Sequence, residues 1–385
     1  MICKKCNSAP GSVILRTMDY YCEPCFMVNL NHKFRACIGK NKILSRNEKV
    51  LICSSGGVAS ATLLDLVHTG LGQDIHKKLR IQPIVLHVME NFKDSSKNVA
   101  NMIIQQCKKY NLEVYIISFT EYNKCNSVLP IPFTVPNVQP DDTSAFNLMI
   151  SSLQSSLRND FCIKIKHNLF LRMAELLKCN YIFTAETTTT LAVNLLSNLA
   201  IGRGSQVEQD IGFCDSRDES IKCLRPMKDI SNEELNYYAN LKQLKFCPLN
   251  NLCGNSIQSL IHSFVSDLQT NFPATISTVC KTAEKISAQN KQKQDKCTIC
   301  KSDLDPSENK FTALQATNFS QTVSNKNLAS ISNHMLFDET KNGLTVQTNS
   351  KNMFPHINRL LCYTCSRTCA EIDNPSRIPK HVKFV

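Results

Sequence analysis

The sequence lacks any long apolar run. No stretch of its 385 residues approaches the roughly 18 apolar residues that a membrane-spanning helix requires, so we expect no membrane partner. It also lacks an apolar leader segment after Met1, which argues against secretion. We therefore expect an intracellular protein in a reducing compartment, where clustered cysteines are more often metal ligands than disulfides.

Acidic residues are scarce relative to basic ones. The chain has 44 Lys and Arg against 32 Asp and Glu, a formal net charge of +12. This excess favours an anionic partner, with nucleic acid as the first candidate, although a merely basic soluble protein has the same balance. The length allows one large domain with small modules, or two domains.

Cysteine is abundant, with 20 residues, and the first two Cys-x-x-Cys pairs lie near the start of the chain. Each pair places two thiolates on one tight turn, and two such turns complete a tetrahedral zinc site. Four thiolates leave no open coordination position, so we expect a structural zinc that folds a segment too small to form its own core. The predicted ligands are Cys3, Cys6, Cys22 and Cys25.

Two further pairs predict a second zinc site near the end of the chain. Between them lies a Ser- and Asn-rich tract, from about residue 307 to 352, whose low hydrophobic density indicates a mobile insertion. The predicted ligands are Cys297, Cys300, Cys362 and Cys365.

Residues 49–60 are the stretch around which the chain is organised. An apolar run ends in Ser-Ser-Gly-Gly, and a helical segment follows, which predicts a strand, a tight loop and a helix. Paired glycines and a helix N-terminus suit an anion such as phosphate. The segment resembles the PP-loop of N-type ATP pyrophosphatases, Ser-Gly-Gly-x-Asp-Ser, but Ala59 occupies the Asp position. We expect a vestigial phosphate loop formed by Ser55, Gly56, Gly57 and Ser60.

Apolar runs and helical patterns alternate after this loop. This alternation predicts an α/β fold with a parallel sheet, whose ligands lie beyond the carboxyl ends of the strands. A surface loop is expected over 121–150 and one long helix over 255–295. The predicted strands are 49–54, 80–88, 112–119 and 180–185.

Four segments follow from these patterns. We predict a zinc-ribbon-like basic module at 1–46 and a degenerate PP-loop-like α/β domain at 47–254. A helical connector at 255–296 then leads to a cysteine-pair module at 297–385, which carries the low-complexity insertion.

Basic residues follow the first cysteine pairs. A basic strip beside an aromatic residue suits a phosphate backbone with a base stacked nearby, although a solvated basic face has the same pattern. The candidate RNA contacts are Lys33, Arg35, Lys40, Lys42 and Arg203.

Taken in order, these motifs resemble the cytoplasmic tRNA 2-thiolation protein 2 family, the non-catalytic PP-loop subunits of the eukaryotic wobble-uridine thiolases. The resemblance runs nearly end to end. Besides the cysteine pairs and the glycine loop, the matching stretches are 32–35, 195–198, 202–204, 210–213 and 224–226.

The resemblance implies a cytoplasmic heterodimer that binds tRNA. The partner, the catalytic PP-loop subunit cytoplasmic tRNA 2-thiolation protein 1, would bind ATP and activate the wobble uridine as an adenylate. Sulfur would come from a thiocarboxylated ubiquitin-like carrier, and the product would be the 2-thiouridine mcm5s2U in tRNAs for Lys, Glu and Gln. This chain would supply structure and an RNA-binding surface.

The chain departs from the catalytic sister subunit at two places. The sister has Gly-His-Asn-Ala-Asp-Asp after its fourth strand, whereas residues 185–190 here have neither His nor the acidic pair. The sister also has a Cys-x-x-Cys motif in mid-domain, where this chain has only Cys162. Cys223 lies where a third such cysteine could lie, but alone it cannot complete a sulfur-transferring cluster. Because magnesium-dependent adenylation needs carboxylates that hold the metal, we expect a pseudoenzyme with no catalytic residues.

Two other functions remain open from the residues alone. The chain could be an active PP-loop ATP pyrophosphatase that thiolates RNA unaided, and catalysis by the isolated chain would decide for it. It could also be a zinc-ribbon interaction protein without enzymatic context, which failure to copurify with a PP-loop partner or tRNA would favour.

Overall fold

Short apolar segments pair into one central sheet. The structure is a computed structural model. It describes residues 1–15, 19–72, 78–90, 94–124, 129–248, 256–286, 295–304, 317 and 360–370. The strands are β1 (Val13–Ile14), β2 (Tyr20–Tyr21), β3 (Glu48–Cys53), β4 (Ile81–Met89), β5 (Glu113–Ser118), β6 (Tyr181–Phe183), β7 (Cys214–Asp215) and β8 (Lys222–Leu224). The central sheet has the order β5-β4-β3-β6-β8-β7. Its neighbouring strands are parallel except β7, which is antiparallel to β8. β1 and β2 form a separate antiparallel hairpin.

Helices connect these strands and cover the sheet. They are α1 (Glu23–Asn41), α2 (Val58–Leu71), α3 (Asp94–Lys109), α4 (Pro140–Ser151), α5 (Ser155–Leu176), α6 (Thr188–Ala200), α7 (Val207–Ile211), α8 (Asn232–Leu241), α9 (Ile257–Asn271), α10 (Pro273–Ala283) and α11 (Tyr363–Ala370).

Alternating strand residues bury both faces of the sheet. Leu51 and Cys53 of β3 belong to one apolar cluster, which includes residues of α4 and α5 and the second cysteine set. Val50 and Ile52 belong to another, which includes residues of α1, α2, α3 and α8. Successive residues of a strand point to opposite faces, so the molecule has helix, sheet and helix layers. A third cluster joins α6, α7, α9 and α10.

The apolar clusters cross two of the boundaries predicted from sequence. Phe26, Leu30 and Phe34 of α1 pack with β3 residues, although the first segment was expected to end at residue 46. The second cysteine set packs in one cluster with Leu51 and Ile182 of the sheet. Both cysteine-rich regions therefore share a core with the α/β domain.

The predicted fold class is confirmed. β3, β4, β5 and β6 lie where apolar runs predicted strands. α8 opens with a capping box between Ser231 and Glu234. β7 and β8 were not predicted, because each contains a charged residue, Asp215 or Lys222, and no apolar run marks either strand. The predicted low-complexity insertion lies outside the described residues.

Two predictions of local structure were wrong. Residues 121–150 were expected to form a loop, but α4 begins at Pro140, a residue suited to the first turn of a helix. Residues 255–295 were expected to form one helix, but α9 ends before Pro273 and α10 begins at it. Proline lacks the N–H that would continue α9 and clashes with its preceding turn.

Among the described residues, no helix is both long enough and apolar enough to cross a lipid bilayer.

We predict that α1 stabilises the whole α/β domain. Phe34 is 1% exposed and Val28, on the same helix, is 56% exposed. Phe34→Ala should lower the free energy of unfolding by about 3–5 kcal/mol through the cavity it leaves. The control Val28→Ala should change it by less than about 0.5 kcal/mol. Chemical denaturation measures both, and equal effects would contradict a core role for α1.

Candidate functional site

The glycine loop lies where a phosphate loop would lie, between the carboxyl end of β3 and the start of α2. Gly56 has a φ of +84°, a conformation that residues with a Cβ rarely adopt. A Cβ at this position would also lie 2.4 Å from Cγ1 of Val99 on α3. Gly57 caps α2 with an ordinary extended conformation. The tight turn therefore requires glycine at Gly56 above all.

The hydroxyl groups of the loop are used within the loop. Ser60 is 1% exposed, and its Oγ accepts a hydrogen bond from the Gly56 amide and donates one to the Gly57 carbonyl, each at 3.0 Å. The Gly57 amide donates to Ser55 Oγ at 3.4 Å. The Cys247 amide closes the other side by donating to the Gly56 carbonyl at 2.9 Å. The turn thus uses the hydroxyls of Ser55 and Ser60 and the amides of Gly56 and Gly57 for its own hydrogen bonds.

Beside the loop, His87 at the end of β4 is buried and tied to the backbone. Its Nδ1 lies 2.8 Å from the Ser54 carbonyl oxygen. Burial lowers the pKa of His87 below its ordinary value. The side chain is therefore neutral at physiological pH and adds no cation at this edge.

Charged side chains that follow β6 and β8, and those within and beside β7, are paired with one another. Arg217 Nη2 lies 2.5 Å from Asp215 Oδ2 and 2.9 Å from Asp210 Oδ1. Arg225 Nε lies 2.5 Å from Glu186 Oε2. Burial would raise the pKa of Asp215, but Arg217 and then Arg225 hold it well below its usual range. These carboxylates already have cationic partners.

The stretch 185–190 caps and anchors α6. Thr187 is the N-cap, and its Oγ1 accepts a hydrogen bond from the Thr190 amide. Thr188 Oγ1 donates to the Lys228 carbonyl at 2.7 Å. Threonine at these positions therefore has a structural use in the fold.

The four N-terminal cysteines meet at one point. Their sulfur atoms all lie within 4.8 Å of one another, and Cys6 Sγ and Cys22 Sγ are 3.9 Å apart. A hydrogen bond from the Ser8 hydroxyl chiefly lowers the pKa of Cys6, to about 5. The thiolate is the form of cysteine that binds metal.

The four C-terminal cysteines meet in the same way and are all buried. Cys300 Sγ lies 3.5 Å from Cys362 Sγ although 62 positions separate them in sequence. Hydrogen bonds from Cys297 and the other two thiols, together with the charge of Arg203, hold the pKa of Cys300 well below its ordinary value.

The two clusters share one backbone plan. In the first Cys-x-x-Cys pair of each cluster, the residue four positions after the leading cysteine, Asn7 or Lys301, has a left-handed φ. Its amide N–H donates a hydrogen bond to the carbonyl of that cysteine, at 2.9 Å from Asn7 to Cys3 and 2.8 Å from Lys301 to Cys297. In each second pair, the leading cysteine directly precedes a helix, α1 or α11, and the other cysteine is its third residue. Helix N-termini favour thiolate charge.

This geometry fits a tetrahedral metal ion. Zn–S bonds of 2.3 Å imply sulfur atoms about 3.8 Å apart, whereas a disulfide would bring them to about 2 Å. The recorded separations of 3.9 Å and 3.5 Å match the first case. Four sulfur donors leave no open position, so either ion would stabilise the fold without taking part in chemistry.

Arg203, predicted to contact RNA, lies inside the protein. Arg203 is 2% exposed, and its Nη2 donates to Asp160 Oδ2 at 2.7 Å. Burial alone would lower the pKa of Arg203, but Asp160 and then Cys365 hold it well above its ordinary value. A buried, paired guanidinium cannot reach a phosphate backbone.

The other RNA candidates differ in exposure and in their partners. Lys33 Nζ lies 2.5 Å from Glu234 Oε1, a buried carboxylate, and Arg35 Nε donates to the Asn31 carbonyl on its own helix. Lys40 and Lys42 are exposed at the end of α1. They precede β3 by a few residues and therefore lie at the amino edge of the sheet, opposite the glycine loop.

Sequence reasoning missed the role of Asp160 and of the paired charges around Asp215. The available signal was the alternation of acidic and basic residues between 210 and 225. Their burial and pairing could not be read from that pattern, because the partners lie on different elements.

We predict about two metal ions per chain, one for each cysteine cluster. Cys3→Ser should remove one ion and unfold the N-terminal turn, because metal binding supplies its folding energy. The control Cys162→Ser, outside both clusters, should retain both ions. Elemental analysis of the purified chain measures this, and a metal-free chain would contradict it.

Known proteins agree with this architecture. Residues 27–249 match the family model of the PP-loop domain, and residues 256–367 match that of cytoplasmic tRNA 2-thiolation protein 2. The solved structure of U34-tRNA thiolase NcsA from Methanococcus maripaludis, with its 4Fe-4S cluster, has a TM-score of 0.59 at 18% identity. It covers 79% of this chain and 92% of that chain, and the likeness concerns the fold alone.

Curated relatives extend along most of the chain. The cytoplasmic tRNA 2-thiolation protein 2 of Anopheles gambiae is 31% identical over 353 residues, which are 88% of this chain and 83% of that protein. The protein of the same name from Drosophila yakuba is 32% identical, over 84% of this chain and 81% of its own length. With this identity over this length, the chain belongs to the cytoplasmic tRNA 2-thiolation protein 2 family.

Proposed function

We propose that this chain is the non-catalytic subunit of a cytoplasmic heterodimer that 2-thiolates the wobble uridine of tRNAs for Lys, Glu and Gln. The names of its relatives support a role in cytoplasmic tRNA 2-thiolation. The partner is a catalytic PP-loop subunit, which binds ATP and adenylates the uridine. Sulfur comes from a thiocarboxylated ubiquitin-like carrier.

The observation that carries this proposal is the use of the loop's polar groups within the loop. A phosphate loop works by aiming free amides and hydroxyls at an anion. Here the Ser60 hydroxyl bridges Gly56 and Gly57, and the Ser55 hydroxyl accepts from the Gly57 amide. Phosphate binding at these groups would have to break hydrogen bonds that hold the turn.

The charges at the same edge of the sheet support it further. Transfer of an adenylyl group needs carboxylates for magnesium and cations for the developing charge. Glu186 is the acidic residue in the stretch after β6, and it is paired with Arg225. Asp210 and Asp215 are paired with Arg217. These groups hold the fold together and are poorly placed to hold magnesium.

We propose zinc as the metal in both clusters. Four thiolates in a closed tetrahedral set are the usual donors of structural zinc, and the set offers no position for a reacting ligand. One ion would join the N-terminal turn to α1, and the other would join the segments at 297–300 and 362–365. The chemistry that zinc supplies here is ligation alone.

For tRNA, we propose Lys40 and Lys42 as phosphate contacts, with smaller roles for Lys33 and Arg35. Lys40 and Lys42 are exposed. Lys33 is 28% exposed and serves the buried Glu234. The RNA surface then includes the amino edge of the sheet, while the partner subunit provides the reacting pocket.

We predict that the purified chain alone does not adenylate tRNA. The partner and the pair should convert ATP to AMP on tRNA, and Ser60→Ala in this chain should leave turnover by the pair nearly intact. Ser60→Ala should lower the free energy of unfolding by about 1 kcal/mol through lost hydrogen bonds. Gly56→Val should prevent folding of the loop and assembly of the pair.

The assay compares AMP release by this chain, the partner and the pair. Turnover by this chain alone, abolished by Ser60→Ala, would restore the active ATP pyrophosphatase as the function. Absence of a PP-loop partner and tRNA from material purified from cytosol would instead favour the interaction protein.

We predict that Lys40→Ala with Lys42→Ala flattens the salt dependence of tRNA binding by the pair. Each lost phosphate contact reduces the steepness of the plot of log binding constant against log salt concentration by about 0.7–0.9. The charge-matched control Lys281→Ala with Lys285→Ala, at the end of α10, should leave the slope unchanged. Filter binding between low and moderate salt measures it, and identical slopes for both double variants would refute the assignment.

A further inference from the structure

Arg203 is among the largest fully buried side chains of the described part of the chain, and it faces two of the C-terminal cysteines. Its Nη1 donates to Cys362 Sγ at 3.7 Å, and its Nη2 to Cys365 Sγ at 3.5 Å. Asp160 on α5 accepts from the same Nη2 at 2.7 Å and thereby fixes the orientation of the guanidinium. The group is thus aimed at sulfur from the turn that follows α6.

The net charge of a four-thiolate metal site explains why an arginine contacts its sulfur atoms. Four thiolates around a divalent ion sum to −2, and a buried negative charge is costly unless a cation or hydrogen-bond donors face it. Hydrogen bonds to charged acceptors are about twice as strong as neutral ones. Groups that hold the ligands of a metal in place are commonly worth 10- to 100-fold in metal affinity.

We propose that Arg203 is the positioning residue of the C-terminal metal site. It orients the sulfur atoms of Cys362 and Cys365 in ligand geometry and offsets the negative charge of the metal centre. The inference rests on the metal occupancy proposed above, and it adds a residue from the α/β domain to a site otherwise built from the chain's last segments.

One consequence is that metal affinity depends on how the C-terminal segment docks. Thr364 Oγ1 donates to the Ile201 carbonyl at 3.0 Å, and Asn168 Nδ2 donates to the Ile299 carbonyl at 2.9 Å. Gly202 has a φ of +89°, and a Cβ there would lie 3.3 Å from the Tyr363 ring. The turn that carries Arg203 is therefore fitted closely against α11.

The N-terminal cluster supplies a matched control within the same molecule. It has the same four-cysteine backbone plan, and Arg203 contacts only the C-terminal cluster among the described residues. Any change that acts through Arg203 should appear at one cluster and spare the other.

The test uses the full-length chain loaded with zinc and titrated with a zinc chelator. Cysteines released at each free-zinc level are alkylated and identified by peptide mass spectrometry, which reads the two clusters separately. Arg203→Met should weaken zinc binding at the C-terminal cluster by about 10- to 100-fold and leave the N-terminal cluster unchanged. Arg203→Lys should fall between, because lysine keeps the charge but lacks the planar fork.

A second variant separates charge from packing. Cys365→His lowers the ligand charge by one unit, so Arg203→Met should cost several-fold less zinc affinity in that background than in the unaltered chain. Equal costs in both backgrounds would mean that Arg203 acts by packing alone and would overturn the proposal.

The remaining outcomes distinguish the role of Arg203 from the existence of the metal site. Unchanged zinc affinity at the C-terminal cluster in Arg203→Met, or equal losses at both clusters from general unfolding, would overturn the role of Arg203 and leave the metal site standing. Absence of metal from the C-terminal cluster of the unaltered chain would overturn both.

Discussion

Pairing of buried charge between α5, the turn after α6, α7 and the last two strands is the constraint on which the rest of the structure depends. Arg203, Arg217 and Arg225 are buried or nearly so, and each faces a carboxylate. Removing one member of such a pair leaves an uncompensated charge in a region of low dielectric, which is strongly destabilising. The pairs therefore hold α5, the turn after α6, α7, β7 and β8 in one arrangement.

The glycine loop keeps the backbone shape of a phosphate loop without the polar groups free to bind phosphate. Gly56 keeps the left-handed turn because Val99 packs against it and a side chain would not fit. The strand-to-helix connection therefore needs this backbone whether or not an anion binds. The hydroxyls of Ser55 and Ser60 are absorbed by the turn, which is why we propose a structural subunit with its chemistry in a partner.

The two cysteine clusters solve one folding problem twice. Each combines a left-handed knuckle with a helix N-terminus, and each lies where the local chain is too short to bury a core of its own. They differ in their attachment to the domain. The first cluster is attached through α1, which extends into the apolar core, whereas the cysteines of the second cluster pack in the core themselves and also contact Arg203.

The sequence by itself determined the elements whose signal is local. The Ser-Gly-Gly turn, the long apolar strands, the Ser231 capping box and the Cys-x-x-Cys pairs follow from backbone freedom, side-chain period and ligand spacing. Glycine, proline and cysteine act within a few residues, so the chain order alone reveals them.

The tertiary structure alone decided which groups are buried and what they face. The residues around Arg203 read as an exposed basic turn, yet α11 and Asp160, 43 positions earlier, enclose it. Lys33 reads as a free cation, yet it neutralises Glu234, 201 positions later. Such partners are chosen by packing between distant segments, which no local pattern encodes, and for a charged side chain that choice sets whether it binds a ligand or holds the fold.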